Sequence, residues 1–197
     1  MTTPTSPPRP ILVCGVGALG SHAAQALRNH PGGLRLLDMD RVEARNALNQ
    51  AYPKTVAGKL KADALRQLLL VHHGVTAQAF GVELRESNAP QLIGADLGLV
   101  LDCFDNYAAR SLAARRCAEV GVPILHAGIS ADASAGLVTW TLPEDREVPG
   151  VQTCTDPAVL PCHFLVAALA ARAALEFLRH GTRTEYRVAA QQVYTSR

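Results

Sequence analysis

The run Ile11-Leu-Val-Cys14, followed at once by Gly15-Val-Gly17-Ala-Leu-Gly20, constrains the fold of this chain more than any other feature. Four apolar residues that stop at a glycine describe a strand buried on both faces. Residues 21–29 then have helical composition. A strand, a three-glycine turn and a helix in succession predict the start of a βαβ unit, and so an open sheet with parallel strands. Each glycine has a separate use. Gly15 permits the tight turn, Gly17 lets an anion approach the backbone, and Gly20 lets helix and strand pack closely, while the helix N-terminus favours negative charge. A tight turn that binds nothing would also use these glycines. The strand-and-helix context, with Asp38 ending the next apolar run at 34–37 where a ribose hydroxyl would be held, fits a nucleotide-binding turn.

The rest of the chain alternates in the same way. Helix is expected over 56–71, strand over 75–82, strand over 97–101 ending in Asp102, helix over 107–120 and strand over 123–126. This predicts an α/β, Rossmann-like, mostly parallel sheet with helices on both faces. C-terminal strands and a helix extend it: strand 136–142, helix 162–180 stopped by Gly181, and one last strand over 187–194. Residues 1–9 read as a disordered tail, and residues 10–197 as a single domain with a mobile loop at 143–161. With 197 residues, 48% hydrophobic and 18% charged, the chain has enough apolar residues for one full core. The net charge of +2, the absence of a long basic run and only 5% aromatic residues argue against nucleic acid as the main partner. The apolar stretch 166–178 is interrupted by Arg172 and Glu176 and is too short to span a bilayer, so no membrane is expected. Five cysteines without a secretory signal ahead of them suggest reduced thiols in the cytoplasm.

The segment after Asp38 separates the candidate nucleotides. A dehydrogenase normally runs from that acidic residue into a helix. Here Asp40, Arg45, Asn46, Asn49 and Gln50 lie on a polar crossover that reaches Lys59 and Lys61. Amides and cations on such a crossover suit a triphosphate. Asp102 and Asp105 follow another strand, at the edge where ligands of open α/β sheets bind. A carboxylate beside a triphosphate can hold Mg²⁺. These features favour ATP over NAD.

At these residues the chain resembles the ThiF/MoeB/HesA family, adenylating relatives of ubiquitin-activating enzymes. The resemblance covers residues 10–129, with a weaker echo in 162–181. It rests on Gly15-x-Gly17-x-x-Gly20, Asp38-x-Asp40-x-Val42, Asn46 with Gln50, Gly58-x-x-Lys61 and Leu101-Asp102-x-x-Asp105-Asn106, in order. It implies an adenylyltransferase that uses ATP with Mg²⁺ to adenylate the C-terminal glycine carboxylate of a small ubiquitin-like or sulfur-carrier protein ending in Gly-Gly. It also implies a homodimer. Carried over, Asp38 and Asp40 lie near the ribose, Asn46 contacts phosphate, Lys61 neutralises the triphosphate, and Asp105 helps bind Mg²⁺. Lys61 and Asp105 are thus the candidate catalytic pair.

The chain departs from the family pattern at one charged position. The usual Asn-Leu-x-Arg-Gln is Asn46-Ala-Leu-Asn49-Gln50, so a neutral amide stands in place of the phosphate-binding arginine. Arg45 or Lys59 is a candidate substitute. Relatives also carry an N-terminal arginine that reaches the partner subunit's site; Arg9 is the nearest candidate, although it is close to the first strand. Without a Cys-x-x-Cys pair, the structural zinc of many relatives is not expected. Cys154 lies where some relatives carry a sulfur-transfer or thioester cysteine, and an ordinary thiol is the alternative. Cys162, at a helix start, is a candidate for a lowered pKa, but it and His163 are adjacent on a helix and form no dyad. Cys14, Cys103 and Cys117 read as core thiols, His72 and His73 as a solvated helix end, His126 as a packed histidine with a place facing the nucleotide cleft as the alternative, and Trp140 as an interface or core anchor. Three functions remain open: an adenylyltransferase, a catalytically weakened binding and dimerisation module that partners an active relative, and an NAD(P)-dependent oxidoreductase.

Overall fold

Short aliphatic runs form the centre of the sheet because they can be covered on both sides. In the computed structural model, which describes residues 7–130, 132–144, 159–189 and 192–196, β1 (Ile11–Cys14) and β4 (Leu99–Asp102) are buried throughout. β1 pairs in parallel with β2 (Leu34–Leu37) on one side and with β4 on the other. β3 (Ala77–Phe80) adds beside β2, and β5 (Ile124–Ile129) beside β4, both parallel. β6 (Ala135–Thr139), β7 (Glu185–Ala189) and β8 (Gln192–Ser196) complete an eight-stranded sheet in the order β3-β2-β1-β4-β5-β6-β7-β8. These last three strands run antiparallel to their neighbours.

Connection length explains two of these reversals, β5 to β6 and β7 to β8. A parallel return needs a crossover of about a dozen residues. Only five residues separate Ile129 from Ala135, and only two separate Ala189 from Gln192. The first link closes as a hairpin, with the Ser130 N–H donating to Ala135 O at 2.9 Å. Two strands therefore replace the single one expected over 187–194. β8 is exposed along its whole length, so it lacks the half-buried alternation that marks a strand in sequence.

Helices cover both faces. α1 (Ala18–Leu27) and α2 (Lys61–His73) lie on one, with the alternate side chains Ile11, Val13, Leu34 and Leu36 beneath them. On the other, α3 (Ala89–Leu92), a short helix not foreseen from the sequence, and α4 (Tyr107–Val120) cover Leu12, Cys14 and Val100. The helix expected over 56–71 starts later, at Lys61, because residues 44–48 and 54–56 form two 3₁₀ turns of the crossover.

α5 (Leu160–His180) returns to the face of α1. At 21 residues and a mean hydropathy of 1.4 it is longer than the apolar stretch read from the sequence, and it could cross a bilayer by length and composition alone. Its buried stripe of Val166, Ala167, Ala170, Ala171, Ala173 and Ala174 instead packs on α1, β5 and β6. Contact is close enough that a Cβ on Gly136 would overlap Val166. Gly181, at φ +71°, ends the helix in the left-handed conformation, as its position in the sequence suggested. The foreseen mobile loop at 143–161 falls largely on residues 145–158, outside the described residues. Of the foreseen tail, Arg9 is fixed: its guanidinium donates to Ala95 O at 3.2 Å, and its carbonyl lies 2.8 Å from His30 Nε2.

Candidate functional site

Strand order reverses at β1, between β2 and β4, and the chain leaves all three strands at one edge. The glycine turn is built there as its spacing predicts. Gly15 sits at φ +76°, and a Cβ would come within 2.8 Å of Cys103 O. A Cβ on Gly20 would overlap the Gly15 carbonyl, so the helix can approach the strand only through glycine. Gly17 differs: a Cβ there would meet nothing within 4 Å. Its freedom from side chain is therefore not required by packing. It leaves open the N-terminus of α1, where no side chain caps the helix and where an anion is favoured.

Val16 joins this turn to the crossover. Its N–H donates to Asp38 Oδ2 at 2.8 Å, and its carbonyl accepts the Tyr52 hydroxyl at 2.7 Å. The same hydroxyl lies 3.2 Å from Lys61 O. The Asp40 N–H donates to the other Asp38 oxygen at 2.8 Å. Lys61 Nζ pairs with Asp40 Oδ2 at 2.9 Å, and the Lys61 N–H donates to Asp40 O at 2.8 Å. A lysine in the first residue of a helix is opposed by the helix dipole. Asp40 offsets that, and the pair holds the ammonium at the site edge. Burial pushes the Asp38 carboxyl above the ordinary aspartate range, against the pull of Lys61 and two N–H donors. Burial, reinforced by Asp38, pushes the Tyr52 phenol well above its ordinary value, so it stays a hydrogen-bond donor.

On the other side of β1, Asp102 is fully buried and Asp105 is exposed. Asp102 accepts from Phe104 N at 3.0 Å, from His126 Nδ1 at 2.7 Å and from Arg110 Nη1 at 3.3 Å. Because a carboxylate only accepts, the His126 proton sits on Nδ1. His126 is thus a packed histidine bonded through Nδ1. The amide of Asn106 approaches Asp105 at 3.4 Å. Among the described residues no cation forms an ion pair with Asp105, and no group of three or more metal-binding side chains exists. Mg²⁺ is commonly held by one or two carboxylates together with phosphate oxygens, and so needs no complete protein cage. An exposed carboxylate on the loop beside the glycine turn fits that requirement.

Two amides of the crossover, Asn46 and Asn49, are largely buried. Asn46 Oδ1 accepts the Glu43 N–H at 2.8 Å in a capping turn, and the residue is 5% exposed. Its side-chain oxygen thus closes a turn within the crossover. Asn49 is 1% exposed, in a segment laid along α1: Ser21 Oγ accepts from Ala51 N, and His22 Nε2 lies 3.0 Å from Asn49 O. Arg45 is exposed and pairs with Glu43, and Lys59 is exposed. Arg9 precedes β1 and so stands at the opposite edge of the sheet. Burial raises the thiols of Cys14, Cys103, Cys117 and Cys162 above their ordinary value, which disfavours the reactive thiolate. Cys154 lies outside the described residues. His72 and His73 are exposed at the end of α2, and Trp140 packs on Phe177 at 4.7 Å between ring centroids.

A family model, that of the ThiF family, matches residues 9–194, nearly the whole chain. The chain belongs to the ThiF family. It is 32% identical over 164 residues to ubiquitin-like modifier-activating enzyme 5 of Oryza sativa subsp. japonica, an alignment covering 76% of this chain and 38% of that protein. It is 32% identical over 118 residues to the adenylyltransferase and sulfurtransferase MOCS3 of Caenorhabditis briggsae, covering 58% and 29%. The ThiF-family chain thus spans about two-fifths of the length of the first of these relatives. A crystal structure of E. coli MccB with ATP superposes at a TM-score of 0.75 and 14% identity, over 95% of this chain and 63% of MccB. PaaA superposes at 0.73 and 18% identity. These likenesses establish the shared fold.

Within the ThiF-family framework, the glycine turn, Asp38, Asp40 and Lys61 are tied together, with Asp105 on the adjoining loop. Tyr52, Arg110 and His126 were not singled out as site residues by the sequence. Tyr52 did carry a signal: a single aromatic in a polar crossover has reason to be buried. The partnership of Arg110 and His126 carried none, because Asp102 meets His126 through β-strand pairing and Arg110 from α4.

Proposed function

We propose that this chain binds ATP with Mg²⁺ and adenylates the C-terminal glycine carboxylate of a small ubiquitin-like or sulfur-carrier protein. The observation that carries the reading is the open backbone at Gly17, tied through Val16 to Asp38 and to the Tyr52–Lys61 strut, with Asp105 on the loop beside it. In the proposed reaction a carboxylate oxygen attacks the α-phosphorus, the new P–O bond forms, and the bond to the bridging oxygen breaks as pyrophosphate leaves. A carboxylate is a weak nucleophile, so rate must come from positioning and from stabilising charge on the phosphates. Lys61 supplies a fixed cation and α1 a partial positive charge. Asp105 would hold Mg²⁺, which supplies further charge neutralisation when bound. The reading includes a homodimer, supported by the exposed Phe164 and Leu165 on α5, and a cytoplasmic setting, supported by four free thiols among the described residues.

Asn49 favours a second reading, a nucleotide-binding and dimerisation module that partners an active relative. The position lacks the arginine's charge, and a charge-assisted phosphate contact contributes roughly 1.5–3 kcal/mol. Pyrophosphate release with a Gly-Gly carrier separates the two. Release by the parent supports adenylation. Binding of ATP without release, from both the parent and Asn49→Arg, supports the module. Calorimetry showing tight NAD binding and no ATP binding would refute both and favour an oxidoreductase.

A further inference from the structure

The loop that carries Asp105 is held from behind by charged groups that do not reach the open turn. Asp102 is fully buried, His126 is 1% exposed, and the Arg110 side chain is 13% exposed. Burying a carboxylate is costly unless every oxygen is satisfied. Here both are: one accepts Phe104 N, and the other accepts His126 Nδ1 and lies within reach of Arg110 Nη1. Arg110 is itself located by a bond from Nη2 to Ala127 O at 2.9 Å, so α4 and β5 both brace the carboxylate.

We infer that Asp102 is a positioning residue: with Arg110 and His126 behind it, it fixes the loop from Cys103 to Asn106 against Gly15 and thereby sets where the Asp105 carboxylate stands. Four contacts define that loop. The Cys103 N–H donates to Cys14 O at 2.8 Å. The Cys103 carbonyl lies where a Gly15 Cβ would come to 2.8 Å. The Phe104 N–H is held by Asp102. Asn106 caps α4 by accepting from Ala109 N at 2.9 Å. Asp105 is the one residue between these anchors whose carboxylate points out to solvent. Its freedom is removed on both sides, and the anchor on its N-terminal side depends on the charge of Asp102. A loop pinned in this way presents its carboxylate in one place, which is what a hard cation with strict geometry requires. The inference rests on the reading of Asp105 as the carboxylate that holds Mg²⁺ beside ATP.

Asp102→Asn keeps the shape of the side chain and removes its charge. Arg110→Gln removes the brace from a half-buried position and serves if the first variant does not fold. Amide hydrogen exchange of residues 103–106, measured on the nucleotide-free protein, should rise on the order of tenfold in either variant, with β1 unchanged. The Mg²⁺ concentration that half-saturates ATP binding should rise by about tenfold, while ATP affinity without Mg²⁺ moves less than about threefold. A merely structural role would lower stability without separating those two affinities. Unchanged exchange at 103–106 in a folded variant overturns the inference, as does an equal loss of both affinities. Raised exchange together with a parent that shows no Mg²⁺-dependent ATP binding supports the clamp and removes only the reading of Asp105.

Discussion

β1 is flanked by two strands that each end in a pair of aspartates, Asp38 and Asp40 after β2 and Asp102 and Asp105 after β4. In both pairs the first carboxylate is buried and accepts the backbone N–H two residues on, Asp40 N in one case and Phe104 N in the other. In both the second carboxylate is exposed. The pairs differ in what meets that second carboxylate. Asp40 is joined to Lys61 at 2.9 Å, whereas Asp105 has no ion-pair partner among the described residues. Each strand end therefore uses one aspartate to build its loop and leaves one for the ligand edge. One side supplies its own cation, and the other is suited to one from solution.

Breaking the built-in pair should have the largest effect. Lys61→Ala removes the fixed cation and is expected to lower pyrophosphate release by a hundredfold or more, on the scale of losing a preorganised charge contact in a closed site. Retained release in a folded Lys61→Ala protein would mean that the Asp40 pair is only an element of the helix start. Gly17, between the two pairs, should be nearly as sensitive. The Cβ of Gly17→Val would meet no heavy atom within 4 Å, so melting should change little while ATP binding is lost to calorimetry. Normal ATP binding by that variant would displace the phosphates from this turn. Asp105→Ala sharpens the contrast: the Mg²⁺-dependent gain in ATP affinity should fall by about tenfold or more with the melting temperature within about 2 °C, since the residue is exposed.

Asp38 offers the smallest and most specific test. Burial raises its pKa when the chain folds. The folded state then binds more protons than the unfolded one above the ordinary aspartate value of 3.8, so this group's contribution is fully present below that value and is lost as pH rises through the raised one. Asp38→Asn should remove that slope. The difference in melting temperature between parent and variant, followed upward from about pH 3.8, should move in the variant's favour until Asp38 is fully ionised. A difference independent of pH would show that Asp38 has the same pKa in both states.

Legibility from sequence followed the range of the interactions involved. The glycine turn, β1, β2 and α4 were readable because strand, turn and helix signals are local, and α4 has the bounds expected of it. The same holds for the alternation of strand and helix that gives the parallel half of the sheet. β7 and β8 were merged because an exposed edge strand has no apolar period to read. Asn46 and Asn49 are read as phosphate contacts from a motif alone; the structure adds that the Asn46 amide oxygen closes a local turn and that Asn49 is buried along α1. Residue type alone does not distinguish an amide that closes a turn from one that faces a ligand. The bracing of Asp102 was invisible for another reason, since Arg110 and His126 reach it from separate elements.

The Tyr52 hydroxyl has a kinetic consequence. Anchored to Val16 O at 2.7 Å and resting 3.2 Å from Lys61 O, it stops the glycine turn and the start of α2 from drifting apart. The turn therefore loses its freedom when the chain folds rather than when an anion docks. On the proposed reading little rearrangement is left for the encounter, so capture of a phosphate at this edge should be governed by diffusion and by the field of the helix end, and should weaken as salt screens that field.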